Sequence, residues 1–215
     1  MDHRPAAQPL LDARCIGIVA AAVSAALFGE FAGGTPASTA LEMRTAVALG
    51  SNLGDRLGNL RAARKAIVDL AGVQLPVLSS AIYETDAVDC EPGAGKFLNA
   101  VLEFDYQGDP MDLWKGLMEI ESALGRPPHH PRNVSRKIDI DLLYAGEIQI
   151  DTRELQLAHP RMHSRKFVLQ PLADIRPDLI LPNQTKTIRE LLAKLDESGK
   201  VVPLTNDWDR DERFS

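Results

Sequence analysis

A chain of 215 residues, 45% hydrophobic and 25% charged, is long enough to bury one substantial core. Its net charge of −6 argues against a general nucleic-acid or anionic-membrane surface, so local basic clusters become informative. The two cysteines, Cys15 and Cys90, fall in no CxxC or Cys/His pairing; this argues against a disulfide framework or a zinc site and suits a reducing cytoplasm.

The first forty-odd residues are rich in Ala, Gly, Ser and Thr and hold an uncharged run from Cys15 to Phe28. That run is too short to span a bilayer as a helix. It has the length of a signal-peptide core, with Ser38-Thr39-Ala40 as a weak cleavage signal, but Asp2 and Asp12 cancel the positive charge of Arg4 and Arg14. Met43 is followed at once by a strand-like run. One domain is therefore expected over residues 43–208, with 1–42 a poorly structured or dispensable extension, or the product of a wrongly assigned start, and 209–215 a frayed tail.

Thr45 to Leu49 is a short apolar run ending in Gly50-Ser-Asn-Leu-Gly-Asp55, which reads as strand, tight loop, helix. Leu60, Ala63, Ile67 and Leu70 recur at helical spacing and Gly72 closes the helix. Val73 to Val88 reads as one long extended segment, with Pro76 marking an edge or a bulge. Asp89 to Lys96 is a loop, and Phe97 to Tyr106 a further strand. Asp109-Pro110 is a good cap and first-turn pair for a helix that carries Leu113, Leu117, Ile120 and Leu124 inward and ends at Gly125.

Residues 126–137 hold three prolines, four Arg or Lys, two His and no acid, so they form a basic loop and not a helix. The loop leads into Ile138-Asp-Ile-Asp-Leu-Leu143. Period-two alternation there sends Ile138, Ile140 and Leu142 to a core and puts Asp139 and Asp141 side by side on the other face. Adjacent carboxylates repel unless a cation lies between them, and magnesium, which takes one or two carboxylates plus phosphate oxygens and water, fits that need. The plainer reading is a solvated strand face. The basic loop next to the carboxylates favours a site for a magnesium-bound nucleoside triphosphate. Beyond it, Ala145-Gly-Glu147 reads as a hairpin turn into Ile148 to Ile150, then comes a His/Arg loop over 157–165, an apolar stretch Phe167 to Leu172, and a short amphipathic helix over Thr187 to Leu195. The order strand, helix, strand, strand, helix, strand is that of a ferredoxin-like α+β fold, with helices packed on an antiparallel sheet.

No P-loop and no Rossmann GxGxxG occur, which removes those routes to nucleotide binding. Polymerase-type nucleotidyltransferases also pair Gly-Ser with Asp-x-Asp, but as close neighbours, whereas here most of the domain separates them. His159 and His163 lack the accompanying acid or Cys pattern of a zinc site. Trp114 and Trp208 read as packing residues.

Five segments in order carry a family resemblance: Gly50-Ser-Asn-Leu-Gly-Asp55; Phe97-Leu-Asn-Ala100; Glu121 with Gly125-Arg126; Arg136-x-x-Asp139-Ile-Asp141-Leu-Leu143; and His159-Pro-Arg-Met-His-x-Arg165-x-Phe167-Val-Leu-x-Pro-Leu172. Together they resemble the hydroxymethyl-dihydropterin pyrophosphokinases of folate biosynthesis, from about Met43 to about Trp208. The resemblance implies transfer of pyrophosphate from the co-substrate ATP to the hydroxymethyl group of a dihydropterin, with release of AMP. It makes Asp139 and Asp141 the ligands of two magnesium ions. Arg126, Arg132 and Arg136 become loop arginines facing the triphosphate, His159 and Arg165 further phosphate contacts, and Glu121 and Leu142 nucleotide-side residues. Asn99, Thr85 and Val88 become the pterin-reading edge, and Phe97 and Phe167 its aromatic walls. A flat polar heterocycle needs that combination of stacking faces and edge hydrogen bonds. The implied partners are the two small molecules alone, with no nucleic acid and no membrane, and the implied form is a cytoplasmic monomer with C-terminal helices and an extra hairpin strand.

Two departures stand out. Many members have Trp-Gly-Pro where this chain has Asn133-Val134-Ser135, and Ala158 replaces a proline before His159. Neither removes a charge that the chemistry needs. The acceptor of the hydroxyl proton stays open between a metal-bound oxygen and Asp141. Two other readings also stay open: a different metal-dependent nucleotidyl or phosphoryl enzyme using the same aspartates, and a non-catalytic ferredoxin-like binding module.

Overall fold

The computed structural model describes residues 42–88, 90–126, 135–195 and 199–209. Strand β1 (Glu42–Ser51) begins one residue before Met43. Asp55 caps helix α1 (Arg56–Val68) by accepting the Gly58 N–H, and Leu60, Ala63 and Ile67 are its buried face. Gly72 turns the chain at φ +87°, where a side chain would collide with the Gln107 carbonyl at 2.4 Å, so only glycine fits. Strand β4 (Phe97–Gln107) follows, then helix α2 (Pro110–Ala123). Asp109 caps α2 through the Met111 N–H, and Leu113, Leu117 and Ile120 are buried. Strand β5 (Asp139–Ala145) buries Ile138, Ile140 and Leu142 at its start, as alternation predicts.

The long extended segment expected over 73–88 is two strands, β2 (Val73–Ser79) and β3 (Ile82–Thr85). The break falls where the Ser80 hydroxyl accepts the Val101 N–H, replacing a ladder bond. The register shift around Pro76 bears out the bulge. The turn at Ala145–Ile148 is present, but strand β6 (Ile150–Asp151) pairs with β7 (Gln156–Leu157) and not with β5. The apolar stretch after Arg165 is helix α3 (Lys166–Ile175), with Pro171 inside it. Thr187 forms a reciprocal capping box with Glu190 at the start of helix α4 (Ile188–Leu192). Strand β8 (Val201–Thr205) has no counterpart in the sequence reading.

The main sheet runs β5-β1-β4-β3-β8, with β2 also on β4, and every pairing is antiparallel. Helices α1 and α2 cover one face, over Val47, Leu49, Leu102, Phe104 and Ile140. Helices α3 and α4 cover part of the other, over Ala46, Val101 and Leu143. The result is the ferredoxin-like α+β class. The second face is left open at the ends of β1, β4 and β5.

Candidate active site

The open part of that face is set by register. Gly50 lies opposite Asn99 on one side and opposite Asp139 on the other, so a row of three residues crosses the sheet. A Cβ on Gly50 would sit 3.1 Å from Asn99 Oδ1 and 3.8 Å from the Asp139 Cβ. Glycine therefore keeps the floor open between an amide and a carboxylate. Above it lies a cleft of about 1050 Å³.

At one end the carboxylates meet the arginines. Asp139 Oδ1 accepts from Arg126 at 2.7 Å and Oδ2 from Arg136 at 3.0 Å. Asp141, two residues on and 37% exposed, has Arg165 at 3.7 Å. Its carboxyl is pushed up to about 6, first by desolvation and then by the neighbouring Asp139, with Arg165, Arg136 and Arg126 opposing. Burial dominates that rise and the Asp139 charge adds to it; the case for a cation rests on the geometry, two carboxylates side by side on one strand face. Among the described residues no third His, Cys, Asp or Glu joins them in a metal cage. A pair of carboxylates suits an ion that keeps water and phosphate oxygens as its other ligands.

Glu121 does not line the cleft. It is 8% exposed, sits behind Arg126 in direct contact with its guanidinium, and accepts the Ile140 N–H at 2.6 Å. Burial raises its carboxyl to about 7, against the opposing charge of Arg126. The geometry makes it a support for Arg126 and β5. Arg132 lies outside the described residues.

His159 and Arg165 line the cleft from the loop after β7 and the start of α3. Arg165 stacks over the Phe167 ring at 5.5 Å. His159 Nδ1 accepts the Arg161 N–H at 3.2 Å, and burial followed by the charges of Arg165 and Arg161 lowers its pKa to about 4. The imidazole is thus neutral near pH 7, with its proton on Nε2.

At the other end Asn99 donates to Thr85 Oγ1 at 2.7 Å, both side chains being buried. Phe97 and the half-exposed Val88 also line the cleft, as do Phe167, under the Arg165 guanidinium, and Leu142 of β5. One cleft thus unites every described residue named from the sequence except Glu121.

Four residues at or beside the cleft were given no role by the sequence reading. Asn52 brackets the Arg136 backbone, accepting its N–H at 2.7 Å and donating its own N–H to the Arg136 carbonyl at 3.1 Å. Ser135 and Glu91 bond to each other across 44 residues of chain. Arg161, present in the His/Arg loop but given no role, also faces the cleft.

Residues 46–177 match the model of the family described as 7,8-dihydro-6-hydroxymethylpterin-pyrophosphokinase. A 2-amino-4-hydroxy-6-hydroxymethyldihydropteridine pyrophosphokinase of Methylorubrum extorquens is 38% identical over 73% of this chain and 96% of its own length. The Bacillus subtilis protein of the same name is 42% identical over 60% of this chain and 75% of its own. A solved structure of HPPK-DHPS in complex with substrates has the same fold, with a TM-score of 0.58 at 12% identity, over 71% of this chain and 43% of that one. On its matched length, its fold and these identities, the chain belongs to the 7,8-dihydro-6-hydroxymethylpterin-pyrophosphokinase family, and it is a diphosphotransferase.

Proposed function

We propose that this cleft binds magnesium and ATP beside 6-hydroxymethyl-7,8-dihydropterin, transfers the terminal pyrophosphate to the pterin hydroxymethyl oxygen and releases AMP. The supporting observation is the continuity of one cleft. The Asp139/Asp141 floor and its arginines stand on one side of Gly50 and the Asn99–Thr85 pair on the other, with Phe97 beside Gly50 and Phe167 beneath Arg165. A second reading, in which the aspartates serve another nucleotidyl transfer, leaves the second end without a role.

In this reading the hydroxymethyl oxygen bonds to the β-phosphorus as the bond from the β-phosphorus to the α,β-bridging oxygen breaks; AMP departs with that oxygen, and the hydroxyl proton passes to Asp141 or to solvent. Two magnesium ions on Asp139 and Asp141 would neutralise the triphosphate. Arg126, Arg136 and Arg165 converge where negative charge grows on the transferring group and on departing AMP, the largest contribution a protein makes to such transfers. Neutral His159 offers an N–H donor to a phosphate oxygen. Thr85 orients the Asn99 amide, which reads the edge of the heterocycle, while Phe97 and Phe167 flank its faces. Holding both substrates on one rigid sheet supplies alignment before reaction. The working unit spans residues 43–208 and acts as a cytoplasmic monomer on small molecules, without nucleic acid or membrane; among the described residues no helix is long and apolar enough to cross a membrane.

The test is AMP release in the presence of magnesium, with and without the pterin. AMP is expected only when both substrates and the ion are present, and pterin-independent turnover would favour the other nucleotidyl reading. Asp139→Ala and Asp141→Ala should each lower kcat by roughly a thousandfold and leave the circular dichroism spectrum unchanged, because both face the cleft. Near-parental rates in either would refute the assignment of that aspartate.

A further inference from the structure

Two loops border the cleft from opposite ends. One follows β3 on the side of Thr85 and Val88; the other is the end of the basic loop, Ser135 to Lys137, which enters β5 through Arg136. They meet at a single carboxylate oxygen. Glu91 Oε1 accepts the Ser135 backbone N–H at 2.9 Å and the Ser135 hydroxyl at 2.5 Å. The Ser135 hydroxyl in turn accepts from Asn52 Nδ2 at 2.9 Å, and Asn52 grips both the N–H and the carbonyl of Arg136. Asn52 Nδ2 also reaches the Gly95 carbonyl of the first loop at 3.4 Å. The backbone just before Arg136 is therefore tied to the far side of the cleft, and the Arg136 guanidinium departs from that anchored point to Asp139. A bond to an ionised acceptor is stronger than a neutral one, and here two donors share that acceptor.

We propose that Glu91 is a positioning residue for Arg136: through Ser135 its carboxylate latches the pterin-side loop to the basic loop and fixes where the Arg136 side chain enters the cleft. The proposal rests on the reading of Arg136 as a contact to the transferring phosphates. A side chain exposed on a loop edge contributes little to the core, so its loss acts on the neighbouring geometry and not on folding.

Steady-state kinetics on four variants tests the latch. Glu91→Ala is expected to lower kcat about tenfold, the loss of two hydrogen bonds to a charged acceptor, with the ATP KM within about twofold. Glu91→Gln keeps an acceptor oxygen and should recover kcat to within about threefold of the parent, since a neutral acceptor bonds more weakly. Arg136→Ala is expected to lower kcat about a hundredfold, and in that background Glu91→Ala should cost nothing further. A Glu91→Ala enzyme with parental kcat, a Glu91→Gln enzyme as slow as Glu91→Ala, or an equal penalty with and without Arg136 would each overturn the latch. Parental kcat in Arg136→Ala would instead overturn the reading of Arg136 beneath it. Thermal melts of the two Glu91 single variants are expected to stay within about 3 °C of the parent, as for surface substitutions in a domain of this size.

Discussion

His159 shows how the site sets the state of a single residue. Its ring is packed beside Arg165 and Arg161, and its Nδ1 is committed to the Arg161 N–H. Burial first and the two arginines second hold it neutral, with a pKa lowered from 6.5 to about 4. A histidine that is harder to protonate when folded binds fewer protons than the unfolded chain between those two values. Stability therefore falls as pH falls from about 6.5 towards 4. Asp141 and Glu121, raised by burial, act with the opposite sign over an overlapping range, so the difference between variants isolates the histidine. The loss of stability between pH 6.5 and 4.5, measured by urea titration, is expected to be smaller in His159→Asn than in the parent. Equal losses, or an NMR titration of His159 near its ordinary value, would show the imidazole to be unburdened. At this scale Asp139 and Asp141 were legible because alternation alone fixes the face of a strand. Glu121 was not: on α2 it reads as a polar position beside Glu119, and only the packing of that helix under β5 gives it Arg126 and the Ile140 N–H. Asn52, Glu91 and Ser135 were illegible for the same reason, since their partners lie 44 to 84 residues away.

Among the elements, those with strong periods were readable and those without were not. β1, α1, β4, α2 and β5 each announce themselves by a period of 2 or 3.6 and by the Asp caps and closing glycines. Helix α3 is a short apolar run with a proline, ambiguous between strand and helix until its contacts with the sheet decide. Strand β8 contains Pro203, which argues against a strand; it is tolerated because β8 is the edge of the sheet and pairs on one side only, with β3. What fixes this terminal segment is Trp208. Its indole donates to the Ser80 carbonyl at 2.9 Å in a buried setting, and Arg64 of α1 lies 5.8 Å over its ring. This bears out Trp208 as a packing residue and makes it the pin that closes the β3 end of the sheet. Trp208→Phe keeps an aromatic ring and leaves the Ser80 carbonyl without its donor, which costs about 1–3 kcal/mol. Equilibrium urea unfolding should read that loss, and a change below about 0.5 kcal/mol, the size typical of surface substitutions, would show that Trp208 is not a pin.

On the scale of the whole molecule, one antiparallel sheet has both faces in use for different ends. The face under α1 and α2 is a dry core; the other is shared between the α3/α4 core and the cleft. The ferredoxin-like class was foreseeable from the alternation of elements, but the side-by-side placement of Asn99, Gly50 and Asp139 depends on register across three strands, which no local pattern encodes. That placement makes a global measurement informative. A ligand that binds only the folded chain stabilises it by about 2.7 kcal/mol at a hundred times its Kd. In a domain of about 170 residues this raises the melting temperature by roughly 5–10 °C. ATP with magnesium is expected to give a shift of that order, and ATP with a chelator much less, because the two carboxylates then face the triphosphate with no divalent ion between them. The shift should survive removal of residues 1–41, since the match to the family begins at residue 46. It should lose its dependence on magnesium in an Asp139→Asn, Asp141→Asn double variant. A shift of equal size with the chelator, or a magnesium dependence that persists in the double variant, would mean that the ion is held elsewhere and that the two aspartates serve the arginines alone.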